Sequence, residues 1–358
     1  MTEKALIAMS GGVDSSVAAS LMKAAGYDCI GVTMKLFANE DIGISREHSC
    51  CSLSDVEDAR AVAHRLGIPY YVMNFSGDFE KNVIDRFIAA YERGETPNPC
   101  IDCNRYLKFA SLYEKGRSLG CDYVVTGHYV RRVFDEETGR FLLKKGLDAS
   151  KDQSYVLYSL SQDQLAHSMF PLGELEKTEV RRIAEKEGFV NAAKHDSQDI
   201  CFVTGDYGEF IEGRTGKKYP AGDFIDENGK VLGRHQGIIR YTIGQRKGFG
   251  LSFPQPMYVK EINPEENTVT LAPNEALFSQ ELTACDLNWI SIPELTKEMR
   301  VSARIRYHHR EAAATVAPLG DSRLRLVFDE PQRAITKGQS LVLYDGDTVV
   351  GGGIIDGN

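Results

Sequence analysis

The sequence lacks any long apolar run. Nothing in its 358 residues approaches the roughly 18–20 consecutive apolar residues of a membrane-crossing helix. The short stretch Ala5 to Met9 stops at Ser10-Gly11-Gly12, without the length or cleavage region of a secretion signal. A cytoplasmic protein with no membrane partner is therefore expected. Excess positive charge is lacking too. Forty-two Lys and Arg stand against 51 Asp and Glu, a net charge of −9. That excludes a protein that coats nucleic acid by bulk charge, although a local basic face remains compatible with it. Tryptophan is nearly absent: Trp289 stands alone and reads as packing. No internal repeat or low-complexity segment is present. What the chain does have is eight cysteines. Without a signal segment they do not read as a disulfide framework, and in a reducing compartment such residues are buried, metal-bound or reactive.

The first two hundred residues alternate strand and helix signals. Strands are expected at Ala5–Met9, Cys29–Met34, Tyr70–Phe75 and Tyr123–Thr126. Helices are expected at Val13–Ala25, from Ser54 (with Glu57 at capping-box spacing) to Leu66, at Phe79–Arg93 and at Asn104–Leu119. This order implies an α/β domain with a parallel sheet, in which ligands sit at the carboxyl ends of the strands. Beyond about residue 205 glycine and proline become frequent. Short strands are expected at Gly237–Thr242 and Met257–Ile262, then at Val301–Tyr307, Ala314–Pro318, Leu324–Phe328, Ser340–Tyr344 and Val349–Ile355. Their spacing suggests a small antiparallel barrel.

Ser10-Gly11-Gly12-Val13-Asp14-Ser15-Ser16 lies between the first strand and first helix. Two glycines let backbone approach a ligand, two serines add hydroxyls, and the free N–H groups of a helix start favour an anion. The string has no Gly-Lys-Ser/Thr ending, so it is not a Walker A loop. A bare Ser-Gly-Gly would be a tight turn with Asp14 as a cap. The whole string in this position reads as a phosphate loop.

Thr96-Pro97-Asn98-Pro99-Cys100-Ile101-Asp102-Cys103-Asn104 places Cys103 near the start of the helix expected from Asn104, where the dipole favours thiolate. Asp196-Ser197-Gln198-Asp199-Ile200-Cys201-Phe202 puts a third cysteine in a polar loop. A closed zinc site fits poorly, because no second C-x-x-C exists and only His195 offers a fourth ligand. Three cysteines suit persulfide chemistry, and equally a [4Fe–4S] cluster on Cys100, Cys103 and Cys201 with one iron left open. Cys50-Cys51 reads as a buried loop pair, and Cys29, Cys121 and Cys285 as core.

The ordered set SGGVDSS, GVTMKLF (Gly31–Phe37), TPNPCIDCN, TGHY (Thr126–Tyr129), KDQSY (Lys151–Tyr155), SQDICF and YTIGQRKG (Tyr241–Gly248) resembles the bacterial tRNA-uridine 2-sulfurtransferases. These are tRNA-specific 2-thiouridylases of the PP-loop ATP pyrophosphatase superfamily. The resemblance implies three domains: a Rossmann-like PP-loop domain (1–205), a small central domain (206–275) and a C-terminal antiparallel β-barrel that binds tRNA (276–358). It implies ATP with Mg2+ as co-substrate, adenylation of O2 of the wobble uridine, and replacement of that oxygen by sulfur, with AMP and pyrophosphate released. It implies Cys201 as the persulfide carrier and Cys103 as its nucleophilic partner. Ala8, Met9, Ser10, Gly11, Gly12, Val13, Asp14 and Ser15 would surround the phosphates, with Met34 and Gly127 at the adenosine. Asn98, Pro99 and Cys100 would face the target base. Lys151, Asp152, Gln153, Arg306 and Tyr307 would meet tRNA. The implied partners are tRNAs with lysine, glutamate and glutamine acceptors, and a sulfur donor such as a cysteine desulfurase or a sulfur relay protein.

The chain departs from a common form of the family at Cys100, where that form has aspartate; the adjacent Asp102 is a candidate replacement. Between Lys297 and Lys337 nine cationic residues face five acidic ones. With Arg234, Arg240, Arg246 and Lys247 they are either solvated surface or, given the resemblance, phosphate contacts. A rival reading is a PP-loop ligase acting on a small metabolite; another is a non-catalytic sulfur carrier.

Overall fold

The computed structural model describes residues 2–37, 53–194, 200–203, 205–320 and 322–357. Cys50, Cys51, His195, Asp196, Ser197, Gln198 and Asp199 lie outside the described residues. No described helix is long and apolar enough to cross a membrane.

A parallel sheet of five strands forms the first layer. Its strands are β1 (Lys4–Ala8), β2 (Asp28–Lys35), β3 (Tyr70–Asn74), β4 (Tyr123–Val125) and, after a hairpin of β5 (Val130–Asp135) and β6 (Arg140–Lys145), β7 (Ser168–Met169). The order is β3-β2-β1-β4-β7. Ala5, Leu6 and Ile7 of the central strand have no exposed surface, as a strand covered on both faces requires. Tyr71 and Val72 on the edge strand β3 are exposed, although their sequence is equally apolar. The chain leaves β1 to build β2 and β3 on one side, then returns to build β4 on the other. The carboxyl ends of β1 and β4 therefore flank the switch point, where doubly wound sheets open a crevice.

Four strands form a small second sheet: β8 (Gly222–Ile225), β9 (Val231–His235), β10 (Tyr258–Asn263) and β11 (Thr268–Ala272), in the order β10-β11-β8-β9. Gly237–Thr242, expected as a strand, instead carries a single 3-10 turn at Ile238–Arg240. The last third holds β12 (Phe278–Trp289), β13 (Met299–Arg304), β14 (Ala312–Gly320), β15 (Arg323–Arg333), β16 (Ser340–Asp345) and β17 (Thr348–Gly357). These six antiparallel strands close on themselves through β12 and β17, which leaves no sheet edge within the ring. The β5–β6 hairpin, from the first part of the chain, joins β17 through Thr348 and Lys144.

Two helix limits differ from the sequence reading. Ser54 lies inside the helix Leu53–Leu66 and so is not its cap. The cysteine helix begins at Pro99, five residues before Asn104, and runs to Ser118 with a π-helical stretch at Cys103–Ser111. Asn98 is the reason: its side chain accepts the Cys100 N–H at 3.1 Å, and Pro99 fills the first helical position, which needs no donor.

Candidate nucleotide and sulfur-transfer site

The turn after β1 is held open by its own hydroxyls. Ser15 Oγ donates to the Gly12 carbonyl at 3.0 Å and accepts the Ser10 N–H at 3.2 Å. Ser16 Oγ donates to the same carbonyl at 3.1 Å. Gly11 has φ +77°, and a Cβ there would fall 2.4 Å from the Asp55 carbonyl oxygen. Only glycine fits that position on both counts. The helix Val13–Ala24 starts on Gly12 without a side-chain cap, as a helix start that serves an anion would.

Asp14 does not cap this helix. Its carboxylate accepts the Tyr129 hydroxyl at 2.7 Å and the Lys177 ammonium at 2.7 and 2.8 Å. Gly127 lies past β4 against the same turn, where a Cβ would meet Asp14 C at 2.8 Å and Ser15 N at 2.9 Å. Met34, at the carboxyl end of β2, is half-buried beside Met73 in register. The sequence-derived nucleotide residues thus share one end of the sheet. Neighbouring His128 is buried and bonded to Thr126 Oγ1 at 2.7 Å, and burial pushes its pKa well below the usual histidine value, so the ring is neutral.

The motif reading missed two braces. Asn191, 2% exposed, donates to the Gly11 carbonyl and to Ser16 Oγ, each at 2.9 Å. Lys194 reaches Asp55 at 2.6 Å, Asp58 at 2.7 Å and the Gly11 carbonyl at 3.4 Å. Both stand about 180 positions from the loop they support, and no local pattern marks them.

On the cysteine helix, Cys100 is exposed and Cys103 half-buried. With the helix starting at Pro99, Cys100 occupies the first turn and Cys103 the second, so the dipole argument applies to Cys100 before Cys103. Asp102 accepts from Arg86 Nε at 3.2 Å. Burial raises its pKa, against the opposing pull of Arg86. Cys201 is half-buried, next to Phe202, which packs among Phe79, Phe87 and Phe210 with ring centroids 5.3–5.5 Å away. Among the described residues no three His, Cys, Asp or Glu side chains gather as metal ligands. Cys100, Cys103 and Cys201 are all described and form no such group. Cys29 and Cys121 are buried, but Cys285, expected in the core, is half-buried on β12.

The residues expected to meet tRNA divide. Asn98 and Pro99 flank the cysteines, with the preceding strip pinned to the barrel: Thr96 N–H donates to the Lys337 carbonyl at 3.0 Å, and Gln339 Nε2 to the Thr96 carbonyl at 2.6 Å. Lys151 is half-buried on a turn, its N–H bonded to the Asp148 carbonyl at 3.0 Å. Asp152 is buried and accepts from Ser154 and from Arg304 of the barrel. Gln153 Oε1 accepts the Tyr129 N–H at 3.0 Å. Arg306 donates to the carbonyls of Ile243 and Ala334 and to Thr336, tying the second sheet's region to the barrel. Burial lowers its pKa, with Tyr155 pulling the other way. Tyr307 is half-buried against Tyr155 and His308, and burial raises its hydroxyl pKa, with Asp152 adding to the rise. Here the side chains of Asp152, Gln153 and Arg306 hold the protein together.

Sequence comparison then decides the family. A curated tRNA-specific 2-thiouridylase MnmA of Clostridioides difficile is 54% identical over 357 residues, spanning 99% of both chains. The chain belongs to the tRNA-specific 2-thiouridylase family. The 2-thiouridylase of Moorella thermoacetica is likewise 54% identical, over 98% of this chain and 99% of its own. Three family profiles match in order: a tRNA methyl transferase HUP domain over residues 3–205, a tRNA methyl transferase PRC-barrel domain over 208–273 and an aminomethyltransferase beta-barrel domain over 279–355. Two of these descriptions speak of tRNA methyl transfer, whereas the full-length 2-thiouridylase relatives are named for thiolation. A 4-thiouridine synthetase–RNA complex with bound ATP is a remote structural likeness, with TM-score 0.34 and 21% identity over 56% of this chain and 44% of that one. It bears on nothing further.

Proposed function

We propose that this chain 2-thiolates the wobble uridine of tRNA, with lysine, glutamate and glutamine acceptors as the expected substrates. Full-length membership of the 2-thiouridylase family carries this reading. The phosphate loop and the cysteine segments supply parts for its two half-reactions. In the first, uracil O2 attacks the α-phosphorus of ATP, bound as its Mg2+ complex, and pyrophosphate leaves. Loop N–H groups suit the phosphates, and the ends of β2 and β4, with Met34 and Gly127, suit the adenosine. This half must come first, because the C2 oxygen alone is a poor leaving group and AMP is a good one.

In the second half, the terminal sulfur of a Cys201 persulfide attacks C2, and AMP departs with the former O2. The C2–S–S–Cys201 linkage is then opened by the Cys103 thiolate, which bonds to Cys201 Sγ and leaves sulfur on C2. A thiol reductant must afterwards open the Cys103–Cys201 disulfide, and a cysteine desulfurase or relay protein must reload Cys201. No step is routed through an iron–sulfur cluster.

The test is product release from ATP, with and without unmodified tRNA bearing a wobble uridine. AMP and pyrophosphate in step with 2-thiouridine, and only with that tRNA, are expected. ADP release, or AMP release indifferent to tRNA, would return the loop to metabolite ligases. Methyl incorporation without ATP cleavage would favour the methyl transfer in the profile descriptions. Cys201→Ser should abolish 2-thiouridine yet leave pyrophosphate release largely intact, which a metabolite ligase would not show.

A further inference from the structure

The helix bearing Cys103 is tied to the barrel by an ion pair. Arg105, two residues past Cys103 and within the π-helical stretch, presents both terminal guanidinium nitrogens to Asp286 of β12, at 2.5 and 3.1 Å. This is a bidentate fork across 181 positions of sequence. Asp286 is set for it by unusual backbone. It has φ +47°, a conformation rare for a non-glycine residue. It also lies where the β12–β17 register shifts between Cys285 and Asn288. Such bulges re-aim side chains beside functional sites.

The surroundings fix the same turn from other sides. Gln164 Nε2 donates to the Phe109 carbonyl at 2.8 Å and to that of Arg105 at 3.5 Å, serving carbonyls of the widened helix. Its Oε1 is held by the Ser161 N–H at 2.9 Å. Arg86 and Arg105 both lie against the Tyr106 ring, with guanidinium carbons 5.1 and 5.3 Å from its centroid. Asn288, two residues past Asp286, donates to the carbonyls of Tyr158 and Leu160 at 2.7 and 3.0 Å. The β12 bulge therefore docks on the cysteine helix and on the segment beside it.

We infer that Asp286 is a positioning residue for sulfur transfer: through Arg105, the C-terminal barrel sets the position of Cys103. The inference rests on the thiolation reading above. With its two terminal guanidinium nitrogens forked onto Asp286, Arg105 orients the helix. Adenylation, which uses the loop after β1, does not depend on this fork.

The test compares Asp286→Asn, Arg105→Gln and the double variant with the unaltered chain. It follows 2-thiouridine formation under saturating tRNA, KM for tRNA, and tRNA-dependent pyrophosphate release. Asp286→Asn should lower kcat for 2-thiouridine by about tenfold or more, the scale of a misplaced reacting group. Pyrophosphate release and KM for tRNA should stay within about twofold, and the double variant should be no worse than the poorer single one. Should Asp286→Asn prove poorly folded by thermal unfolding, Arg105→Lys, which keeps charge but loses the fork, takes its place. Multiplying losses in the double variant, a rise in KM at unchanged kcat, or equal loss of pyrophosphate release would each overturn the inference. An unaltered chain that makes no 2-thiouridine would overturn the functional reading, and this inference with it; full activity in Asp286→Asn overturns this inference alone.

Discussion

Space denied to side chains defines the nucleotide loop. A methyl group at Gly127 would meet the backbone of Asp14 and Ser15 at under 3.0 Å, and backbone cannot yield as a flexible side chain can. Gly127→Ala should therefore shift the start of the helix Val13–Ala24 and raise KM for ATP by about tenfold or more, since helix-start N–H groups bind anions only when aimed at them. Gly120→Ala is a fair control for ATP binding: a Cβ there meets nothing within 4 Å, although its φ of +74° costs about 1 kcal/mol of stability. Equal KM values for the two variants would show that Gly127 is not at the nucleotide. Seven contiguous residues made this loop legible in the sequence. Its braces were not legible, because Asn191 and Lys194 touch it only after some 180 intervening residues have folded. Asp14 shows the same limit. Its place in the motif suggested a phosphate neighbour or a cap, and the folded chain commits its carboxylate to Lys177 and Tyr129.

A single cap sets where both helix cysteines stand. With the Asn98 side chain on the Cys100 N–H, the helix starts at Pro99 and places Cys100 and Cys103 on successive turns. Asn98→Ala removes that acceptor and should cost about 1 kcal/mol of stability, read as a lower midpoint in urea unfolding. Asn98→Asp keeps an acceptor and should restore the midpoint; failure to do so would mean that Asn98 is not acting as a cap. Thiolation should fall further than adenylation in Asn98→Ala, because the cysteines ride on this turn and the phosphate loop does not. Sequence alone starts this helix at Asn104, although an asparagine directly before a proline is itself a start signal. Periodicity found the repeating elements well: the first four parallel strands and most barrel strands lie within a few residues of expectation. It missed the β5–β6 hairpin and β12. Val130–Asp135 carries two arginines and an aspartate, and β12 mixes polar and apolar residues irregularly around its bulge.

Ion pairs between distant parts of the chain join the first sheet's region to the barrel. Arg105 pairs with Asp286, Arg131 and Lys144 with Asp347, Lys145 with Glu311, and Asp152 with Arg304, at 2.5–3.2 Å. Of these cations, Arg304 belongs to the basic patch read in the sequence. Arg300, Arg323 and Arg325 are likewise taken up by Asp329, Asp356 and Glu281. Within the patch, Arg246, Lys247, Lys297, Arg310 and Lys337 have no side-chain hydrogen bond or ion pair among the described residues, so they stand available for phosphate. Arg246→Glu with Lys247→Glu should weaken tRNA binding and flatten its dependence on salt, by about 0.7–0.9 per lost contact in log–log slope; an unchanged slope would place tRNA elsewhere. The interdomain pairs also give the molecule an acid limit. Arg105 holds the Asp286 carboxyl below its usual pKa. Burial would raise Glu311, but Lys145, Ser302 and Arg304 together bring it down. A carboxylate whose pKa is depressed on folding stabilises above its unfolded value, about 4, and loses that contribution as pH falls through the folded one. The attachment of the barrel should accordingly weaken below about pH 4 while the sheet cores, held by apolar burial, persist. Small-angle scattering should show an expanding chain before far-ultraviolet dichroism is lost. In Asp286→Asn the expansion should depend less steeply on pH, because one of the titrating groups is gone. Simultaneous loss of both signals, with the same slope in both chains, would mean that the pairs decorate an interface held by burial alone.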